Sequence, residues 1–354
     1  MTDLKTPLPV AVLGATGAVG QRFVQLLDRH PWFQVTALTG SERAIGQSYG
    51  SACRWILDTP MPEWAREMRV TGSDPQATRV AVAFSALPAS SAWEVEADYA
   101  RAGSAVCSNA SAYRQEPDVP LVLPEVNPGH TALIPTQRRE RGWSGFIVTN
   151  ANCTITGLTI VLKALQETFG VQQAFAVSLQ AVSGAGYPGV PSLDILGNIL
   201  PYIAGEEEKM EYEPLKILGE LEEGHIRLAG FPISAQANRV AVIDGHSVCL
   251  SVKFERAASV EVIKAALRGF QPPEVSRGLP SSPPNVIQVR EEPDRPQPRL
   301  DIMTGGGMTT VVGRVRQDPI LDARMVILSH NTIRGAAGAS ILNAELLVRQ
   351  GYIT

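Results

Sequence analysis

The most restrictive feature of this sequence is a short apolar run that leads into a glycine-rich loop and then into an amphipathic segment. Pro9 to Leu13 is rich in valine and has no polar alternation, which predicts a strand buried on both faces of a parallel sheet. The loop Gly14-Ala15-Thr16-Gly17-Ala18-Val19-Gly20 follows at once. In a strand, loop and helix unit, the first glycine permits the tight turn, the second lets the backbone approach a pyrophosphate, and the third lets helix and strand pack closely. This context favours a dinucleotide-binding domain over a merely structural turn.

The end of the next predicted strand bears on which dinucleotide this domain binds. Phe33 to Leu38 is predicted to be a strand, and Thr39-Gly40-Ser41-Glu42-Arg43 follows it. An acidic residue at such a strand tip would hydrogen-bond an unphosphorylated ribose, whereas Ser41 and Arg43 are suited to a ribose 2′-phosphate. The pattern therefore favours NADP. Glu42 leaves a second interpretation open, in which these charges form a solvated surface pair.

Two further predicted strands end in small polar residues. Val80 to Phe84 is followed by Ser85, and Ser104 to Cys107 is followed by Ser108-Asn109-Ala110-Ser111-Ala112-Tyr113-Arg114. Ligands of open parallel sheets lie across the carboxyl ends of the strands. These strand ends are therefore candidates for the same binding site.

A single cysteine lies where a predicted strand gives way to a predicted helix. Gly145 to Val148 is typical of the end of a buried strand, and Leu158 to Phe169 has the apolar spacing of a helix with one buried side. Thr154 or Thr156 is expected to cap that helix. The N–H groups and the dipole at a helix start favour a thiolate over a thiol, so Cys153 is a candidate nucleophile. A small buried hydrophobic residue at a tight junction is the alternative.

The chain changes character after Cys153. Ala174 to Val182 and Ser247 to Phe254 alternate apolar and polar residues, which predicts strands with one exposed face in an antiparallel or mixed sheet. We therefore predict an α/β protein of two domains. The first is a Rossmann-type parallel-sheet NADP domain over residues 1–152, completed by a C-terminal helix in 331–354. The second is an α+β catalytic domain with a mixed sheet over residues 153–330.

The segment from Arg239 to His246 supplies groups that a thiol nucleophile needs. His246 follows a glycine at the start of a predicted strand and is a candidate general acid or base. Arg239 is suited to bidentate binding of a substrate carboxylate. A structural histidine is the alternative for His246. Taken together, these residues indicate a two-domain, NADP-dependent oxidoreductase with a thiol nucleophile.

Composition disfavours several other classes of function. The 354 residues are 44% apolar and 19% charged with a formal net charge of -4, so we expect neither nucleic acid nor a membrane as a partner. The cysteines and histidines are scattered without paired metal spacing, so we expect no metal. No export signal is predicted, and thiols in such a protein stay reduced, so we expect a cytoplasmic location.

Motifs along the chain resemble those of the aspartate-semialdehyde dehydrogenase family, in its archaeal and fungal branch. They follow the family's order from the first strand to the last helix. They are GATGAVG at Gly14, SNASAYR at Ser108, NANCT around Cys153, SLQAVSGAGYPG from Ser178, EEEKM at Glu206, RVAVIDGH at Arg239, DRPQPRLD at Asp294 and NTIRGAAG at Asn331. NANCT together with RVAVIDGH is more specific than GATGAVG, which many NADP enzymes share.

The resemblance implies an activity and a substrate site. The activity is NADPH-dependent reductive dephosphorylation of L-4-aspartyl phosphate to L-aspartate 4-semialdehyde plus phosphate, through a thioacyl-enzyme on Cys153, in the biosynthesis of lysine, threonine and methionine. By the same resemblance, His246 is the acid/base that activates Cys153, and Gln180 orients the substrate. The remaining substrate contacts are expected from Arg239 to the α-carboxylate, from Glu206 to the α-amino group, from Lys209 and Arg114 to the phosphate, and from Asn152.

The resemblance also implies where the cofactor lies and how the protein assembles. The adenosine and pyrophosphate half of NADP is expected at Gly14, Thr16, Gly17, Ala18, Val19, Ser41 and Arg43. The nicotinamide half is expected nearer to Ser85, Ser183, Gly184 and Asn331. A homodimer or homotetramer is implied, with the sheet of the second domain at the interface, so that domain is expected to serve both catalysis and dimerisation.

Three other functions fit parts of the same pattern. A malonyl-CoA or other acyl-CoA reductase would keep Cys153, His246 and the glycine loop, and only Glu206, suited to an α-amino group, favours the aspartyl substrate over it. N-acetyl-glutamyl-phosphate reductase is disfavoured because the cysteine lies in NANCT rather than after a glycine. A non-catalytic dinucleotide-binding protein would need none of Cys153, Gln180, Arg239 and His246.

Overall fold

The computed structural model describes residues 6–354 and contains two six-stranded sheets and one two-stranded hairpin. The strands are β1 (Leu8–Leu13), β2 (Phe33–Thr39), β3 (Val70–Thr71), β4 (Val82–Ser85), β5 (Ala105–Ser108), β6 (Phe146–Thr149), β7 (Val171–Gln180), β8 (Glu220–Glu222), β9 (His225–Arg227), β10 (Ile233–Arg239), β11 (His246–Phe254), β12 (Ile287–Val289), β13 (Thr310–Gln317) and β14 (Ala323–Ser329). The helices are α1 (Ala18–Leu26), α2 (Tyr49–Ala52), α3 (Glu63–Glu67), α4 (Pro75–Thr78), α5 (Ala89–Arg101), α6 (Ile134–Arg141), α7 (Cys153–Phe169), α8 (Ser192–Ile195), α9 (Glu206–Ile217), α10 (Val260–Gly269), α11 (Pro298–Asp301) and α12 (Gly338–Arg349).

The first sheet is wholly parallel and has the strand order β3-β2-β1-β4-β5-β6. Every residue of β4, β5 and β6 is buried, as their near-continuous apolar sequences predict for a sheet covered on both faces. In this strand order, β2 and β3 are added on one side of β1, and β4 to β6 are added on the other side. In sheets of this kind a dinucleotide lies across the point between β1 and β4 where the order reverses. The prediction of a Rossmann-type parallel-sheet domain is confirmed.

The C-terminal helix α12 packs on the first sheet, although it is far away in sequence. Ile341, Leu342 and Leu346 are buried in the same cluster as Val10 of β1 and Phe84 of β4. The helix is apolar around most of its circumference, which is typical of a helix surrounded by protein. A five-residue π-helical turn, Ile333–Ala337, leads into it and passes beside the start of α7.

The second sheet is mixed and has the strand order β10-β7-β11-β14-β13-β12. Its outermost pairs, β10 with β7 and β12 with β13, are parallel, and the pairs between them are antiparallel. Helices α7 and α10 cover one face. The other face carries alternate residues of β7 and β11, including the exposed Phe175 and Cys249. The predicted mixed sheet with one exposed face is confirmed.

Helix α7 connects the two sheets and differs from its prediction in two respects. It begins at Cys153 itself, and the side chain of Asn152, rather than Thr154 or Thr156, caps it by accepting the N–H of Thr154 at 2.9 Å. It is buried on nearly all sides, not on one, because it lies between the second sheet, α9 and the π-helical turn before α12. The apolar periodicity of a helix predicts one buried side, but it does not show that a segment distant in the sequence, here the π-helical turn, packs on another side.

The division of the chain into residues 1–152 with 331–354 and residues 153–330 stays a prediction. Between residues 6 and 354, no helix is long and apolar enough to cross a membrane.

Candidate active site

A cavity of about 730 Å³ lies between the two sheets, at the carboxyl ends of the strands of the first. Its lining comes from seven separate parts of the chain, which are the glycine loop, the end of α2, the turn after β4, the turn after β5, the start of α7, the loop after β7 and the π-helical turn. Among the predicted site residues the lining includes Thr16, Gly17, Ala18, Val19, Arg114, Asn152, Cys153, Ser183, Gly184 and Asn331. The carboxyl edge of an open parallel sheet is where such folds bind their ligands.

The glycine loop has the geometry of a pyrophosphate cradle. Gly14 has φ +73°, a left-handed conformation that favours glycine, and a Cβ there would lie 3.0 Å from the carbonyl oxygen of Ala86. A Cβ on Gly20 would overlap the backbone of Gly14 and Ala15, so helix α1 can approach the loop only because position 20 is glycine. Gly17 is the N-cap of α1, and the first turn of that helix has no acidic side chain. Backbone N–H groups and the helix dipole are therefore available to an anion.

The thiol of Cys153 lies half-buried at the first residue of α7 and lines the cavity. Gly335 in the π-helical turn packs directly against it, since a Cβ on Gly335 would lie 2.7 Å from both Cα and Cβ of Cys153. Desolvation and the carboxylate of Glu206 raise the pKa of Cys153 to about 12, although Arg114, Arg239 and the N–H of Thr154 act in the opposite direction. The helix start favours the thiolate through the N–H of Thr154, as expected, but burial and a nearby anion outweigh that contribution.

Glu206 is the centre of a buried polar network behind Cys153. The amide Nδ2 of Asn152 donates to its two carboxylate oxygens at 2.9 and 3.0 Å, and Nε2 of Gln180 donates to Oε2 at 3.2 Å. Lys209, one turn along α9, donates from Nζ to Oε1 at 2.9 Å. Burial acts to raise the pKa of Glu206, but Lys209, Gln180 and Asn152 outweigh burial and lower it. Glu206 is therefore an anion within reach of the residues around Cys153.

His246 and Arg239 lie together beside Gly184, where three strands of the second sheet end. Register pairs Arg239 with Gln180 at the ends of β10 and β7, and His246 begins β11. A Cβ on Gly184 would lie 2.8 Å from Nη1 of Arg239 and 3.0 Å from Nε2 of His246, so only glycine fits between these side chains and the cavity. Ala181 binds both, with its N–H to Nδ1 of His246 at 3.0 Å and its carbonyl oxygen to Nη1 of Arg239 at 2.8 Å.

The protonation state of His246 follows from these contacts. Because Nδ1 accepts the N–H of Ala181, the neutral ring carries its proton on Nε2. Burial and the positive charge of Arg239 lower the pKa of His246 to about 3, whereas Glu206 and the backbone of Gly245 act to raise it. The ring is therefore neutral at physiological pH in this structure, with Nε2 on the side of Gly184.

Asn331 joins the end of the second sheet to the cavity. Its Oδ1 accepts the N–H of Gly245 at 2.8 Å, and its Nδ2 donates to Oγ of Ser183 at 2.7 Å. Gly245 precedes His246, so this one side chain fixes both the histidine strand and the Ser183 loop. The predicted grouping of Ser183, Gly184 and Asn331 agrees with this arrangement.

Four predicted cofactor residues do not line the cavity. Ser85 is fully buried at the end of β4, and the residues that follow it, Ala86 and Leu87, line the cavity in its place. Gly14 acts through its backbone conformation. Ser41 and Arg43 are exposed in the turn after β2, beyond the lining of the cavity. Their role at the adenosine end stays a prediction.

Two residues that sequence reasoning missed hold the site together. Glu213 on α9 binds both Asn152 and Arg114, and Gly335 packs on Cys153. A signal for Glu213 existed, because Glu206, Lys209, Glu213 and Lys216 recur at the helical spacing of three or four residues. Gly335 carried none, since its neighbour in space is 182 positions away in the sequence.

A larger cleft of about 1090 Å³ lies elsewhere, at the amino ends of β1 and β2. It is lined by residues such as His30, Phe33 and Trp64 and lies away from the glycine loop and from Cys153. Open parallel sheets bind ligands at the opposite edge. Among residues 6–354, the His, Cys, Asp and Glu side chains form no group able to hold a metal ion.

Comparisons with known proteins point to one family. Residues 9–134 match a family model described as the NAD binding domain of semialdehyde dehydrogenase, and residues 162–334 match a model described as its dimerisation domain. An aspartate-semialdehyde dehydrogenase of Archaeoglobus fulgidus is 52% identical over 344 residues, which cover 97% of this chain and 99% of the relative. That of Saccharomyces cerevisiae is 44% identical over 357 residues, with 97% and 98% covered.

A solved structure agrees with these sequence matches. The aspartate-semialdehyde dehydrogenase of Candida albicans with NADP superposes with a TM-score of 0.90 at 43% identity, and the match covers 98% of this chain and 100% of that one.

Proposed function

The chain belongs to the aspartate-semialdehyde dehydrogenase family, in its archaeal and fungal branch, and from that premise we propose that Cys153 is the nucleophile of its reaction. It is an NADP-dependent oxidoreductase that reduces L-4-aspartyl phosphate to L-aspartate 4-semialdehyde and releases phosphate, a step in the biosynthesis of lysine, threonine and methionine. The names of its relatives favour this reaction over reduction of malonyl-CoA. The observation that carries the proposal is that Cys153 begins a helix in the same cavity as the glycine loop.

The residues around the glycine loop fit NADP. The left-handed turn at Gly14 leads into the start of α1, and the backbone N–H groups of its first residues, Ala18 and Val19, are proposed to bind the pyrophosphate. Ser41 and Arg43, exposed beyond the cavity, are proposed to bind the 2′-phosphate. Ser183, Gly184 and Asn331 are proposed to lie against the nicotinamide half, because they line the same cavity as Cys153.

Aspartyl phosphate carries two separated anions and one ammonium group, and the charges around Cys153 complement them. Arg239 is proposed to bind the α-carboxylate, and Glu206 the α-amino group. Arg114 and Lys209 are proposed to bind the phosphate, while Asn152 and Gln180 orient the substrate through Glu206. Arg114 and Arg239 both act electrostatically on Cys153, so two separate cations are near enough to the nucleophile to serve the two anions of the substrate.

The chemistry then follows from the position of Cys153. Its thiolate attacks the carbonyl carbon of the acyl phosphate, and phosphate departs with the electron pair of the C–O bond, which leaves a thioester. NADPH, when bound, supplies the hydride that reduces this thioester. The oxyanion of the resulting hemithioacetal re-forms the C=O bond as the C–S bond breaks, which releases the aldehyde and returns an electron pair to the sulfur of Cys153.

We assign the proton transfers to His246, at Nε2. In its neutral form Nε2–H can donate a hydrogen bond to a thiolate or an oxyanion. To accept the thiol proton there, the ring must move its own proton to Nδ1 and give up the N–H of Ala181.

The test of this function is substrate-dependent NADP reduction. We expect the protein to reduce NADP with L-aspartate semialdehyde and phosphate, and Cys153→Ala to abolish turnover while NADPH binding, followed by fluorescence, is kept. Cys249→Ala is the matched control, because Cys249 lies on the outer face of the second sheet. A turnover rate that does not depend on phosphate concentration, together with activity on malonyl-CoA, would contradict the proposal.

We also propose an organisation for the whole enzyme. Residues 1–152 with 331–354 form the NADP domain and residues 153–330 the catalytic and dimerisation domain, which the two matched family models support. The enzyme is proposed to be a homodimer or homotetramer in the cytoplasm. Fractionation of cells followed by the assay above tests the location, and activity in the membrane fraction would count against it.

A further inference from the structure

We propose that Glu213 is a positioning residue of this reaction, which fixes the Arg114 guanidinium and the start of α7 relative to each other. The proposal rests on the roles proposed above for Arg114 as a phosphate ligand and Cys153 as the nucleophile. Its basis is that one buried carboxylate on α9 binds both the cation and the residue next to the thiol.

The two carboxylate oxygens of Glu213 serve different partners. Oε2 accepts the backbone N–H of Asn152 at 2.8 Å, and Oε1 accepts Nη1 of Arg114 at 3.2 Å. Glu213 is 2% exposed, and both partners are 6% exposed, so water does not compete for these contacts. Asn152 is the N-cap of α7 and directly precedes Cys153. A shift of the carboxylate therefore moves the cation and the nucleophile together.

Within the described part of the chain, the guanidinium of Arg114 has two nitrogens with acceptors and one nitrogen without. Its Nη2 donates to the carbonyl oxygen of Asn109 at 2.7 Å, and Nη1 is taken by Glu213. Its Nε is buried and finds no acceptor among residues 6–354. Arg114, Asn109 and Cys153 line the same cavity. A buried guanidinium donor without an acceptor, beside the nucleophile, is suited to an anionic ligand.

Lys216, one turn beyond Glu213 on α9, fixes the backbone that carries Arg114. Its Nζ donates to the carbonyl oxygens of Arg114 at 2.7 Å, Glu116 at 2.8 Å and Val119 at 3.3 Å. Burial lowers the pKa of Lys216 to about 8, and Glu213 acts to raise it. The same face of α9 thus holds Arg114 by its side chain through Glu213 and by its main chain through Lys216.

Loss of the carboxylate charge should therefore weaken the binding of phosphate more than the binding of the aldehyde substrate. Glu213→Gln can keep one hydrogen bond but leaves Arg114 without its buried counter-ion. The guanidinium is then free to turn away from the cavity. We expect the KM for phosphate in the oxidative direction to rise about tenfold or more, with a smaller change in the KM for aspartate semialdehyde. NADPH binding should stay unchanged.

The experiment compares Glu213→Gln with Glu208→Gln, a matched control on the exposed side of the same helix. The decisive measurement is a double-mutant cycle with Arg114→Gln on the phosphate KM. If Glu213 acts through Arg114, Glu213→Gln adds little once Arg114 is changed. The proposal would be overturned if the double variant raised the phosphate KM by the product of the two single effects. It would also be overturned if Glu213→Gln alone left the phosphate KM unchanged.

Two further variants keep the outcomes distinct. Glu213→Asp retains the charge with a shorter side chain, so it tests the position of the carboxylate if Glu213→Gln does not fold, and it should raise the phosphate KM less. An unchanged phosphate KM in Glu213→Asp, with Glu213→Gln unfolded, would also overturn the proposal. If Arg114→Gln alone leaves the phosphate KM unchanged, the assignment of Arg114 and the proposal for Glu213 both fail, while the dependence of turnover on Cys153 still supports the proposed function.

Discussion

Cys153 combines access to the cavity with surroundings that disfavour its thiolate form. Its side chain reaches the cavity, but Glu206 and the surrounding protein hold its pKa at about 12. Arg114 and Arg239 act in the opposite direction. The thiol is therefore protonated at neutral pH in this structure, and its activation depends on a proton acceptor. This is the physical reason for the acid/base role proposed for His246.

The first prediction concerns the reactivity of this thiol. Without substrate, the alkylation rate of Cys153 by iodoacetamide should rise about tenfold per pH unit from pH 7 to pH 9 without a plateau, because the thiolate fraction rises until pH reaches the pKa. Glu206→Gln removes a negative charge that raises the pKa of Cys153, so alkylation at a fixed pH should become faster. Peptide mass spectrometry measures the rate, with Glu208→Gln as control. A plateau near neutral pH would show that the thiolate already dominates.

At the scale of elements, the start of α7 is fixed by two segments that lie far from it in the sequence. Helix α9 supplies Glu206 and Glu213 to Asn152, and the π-helical turn before α12 places Gly335 against Cys153. A π-helical turn within a longer helix often occurs at functional sites. Here it allows a backbone to approach the nucleophile where any side chain would collide.

Gly335→Ala tests this packing. The added methyl would lie 2.7 Å from Cα and Cβ of Cys153, so the nucleophile or the turn must move. We expect kcat/KM to fall about 100-fold or more, because a displacement of about 1 Å in a reacting group has effects of that size. Gly269→Ala, at the end of α10, is the control, since a Cβ there meets no atom within 4 Å among the described residues. Circular dichroism checks that the variant is folded, and full activity would contradict the proposed contact.

At the scale of the molecule, the exposed face of the second sheet is the surface that we propose for contact with a second copy of the chain. A hollow of about 390 Å³ on that face is lined mainly by apolar residues, including Phe175, Ile233 and Ile320. Ile320 is 87% exposed, which is unusual for an isoleucine beside other apolar groups. The matched dimerisation domain covers these residues.

Phe175→Arg should therefore weaken assembly. A charge at the centre of an apolar interface has to be desolvated without a partner, so we expect the mass measured by light scattering to shift from a multiple of 38.0 kDa toward 38.0 kDa. Val262→Arg on α10, which lies on the covered side of the sheet, should leave the mass unchanged. A monomeric wild-type protein would contradict the proposed assembly.

Local patterns determined much of this protein. The valine-rich runs and GATGAVG predicted the parallel sheet and its cradle because buried strands and tight glycine turns depend on residues that are adjacent in the chain. The position of Cys153 between a strand and a helix was likewise predicted, since both elements have local signals. The motifs around Cys153 and His246 identified the family, which the comparisons confirm.

Only the tertiary structure determined the electrostatic and packing contacts between segments that are distant in the sequence. The pKa of Cys153 depends on Glu206, 53 positions away, and its packing on Gly335, so its direction could not be read from the helix start. Glu213 on α9 binds both Asn152, the N-cap of α7, and Arg114. Burial and charge at a point in space are sums over neighbours that the fold brings together, and a linear sequence does not say which neighbours those are.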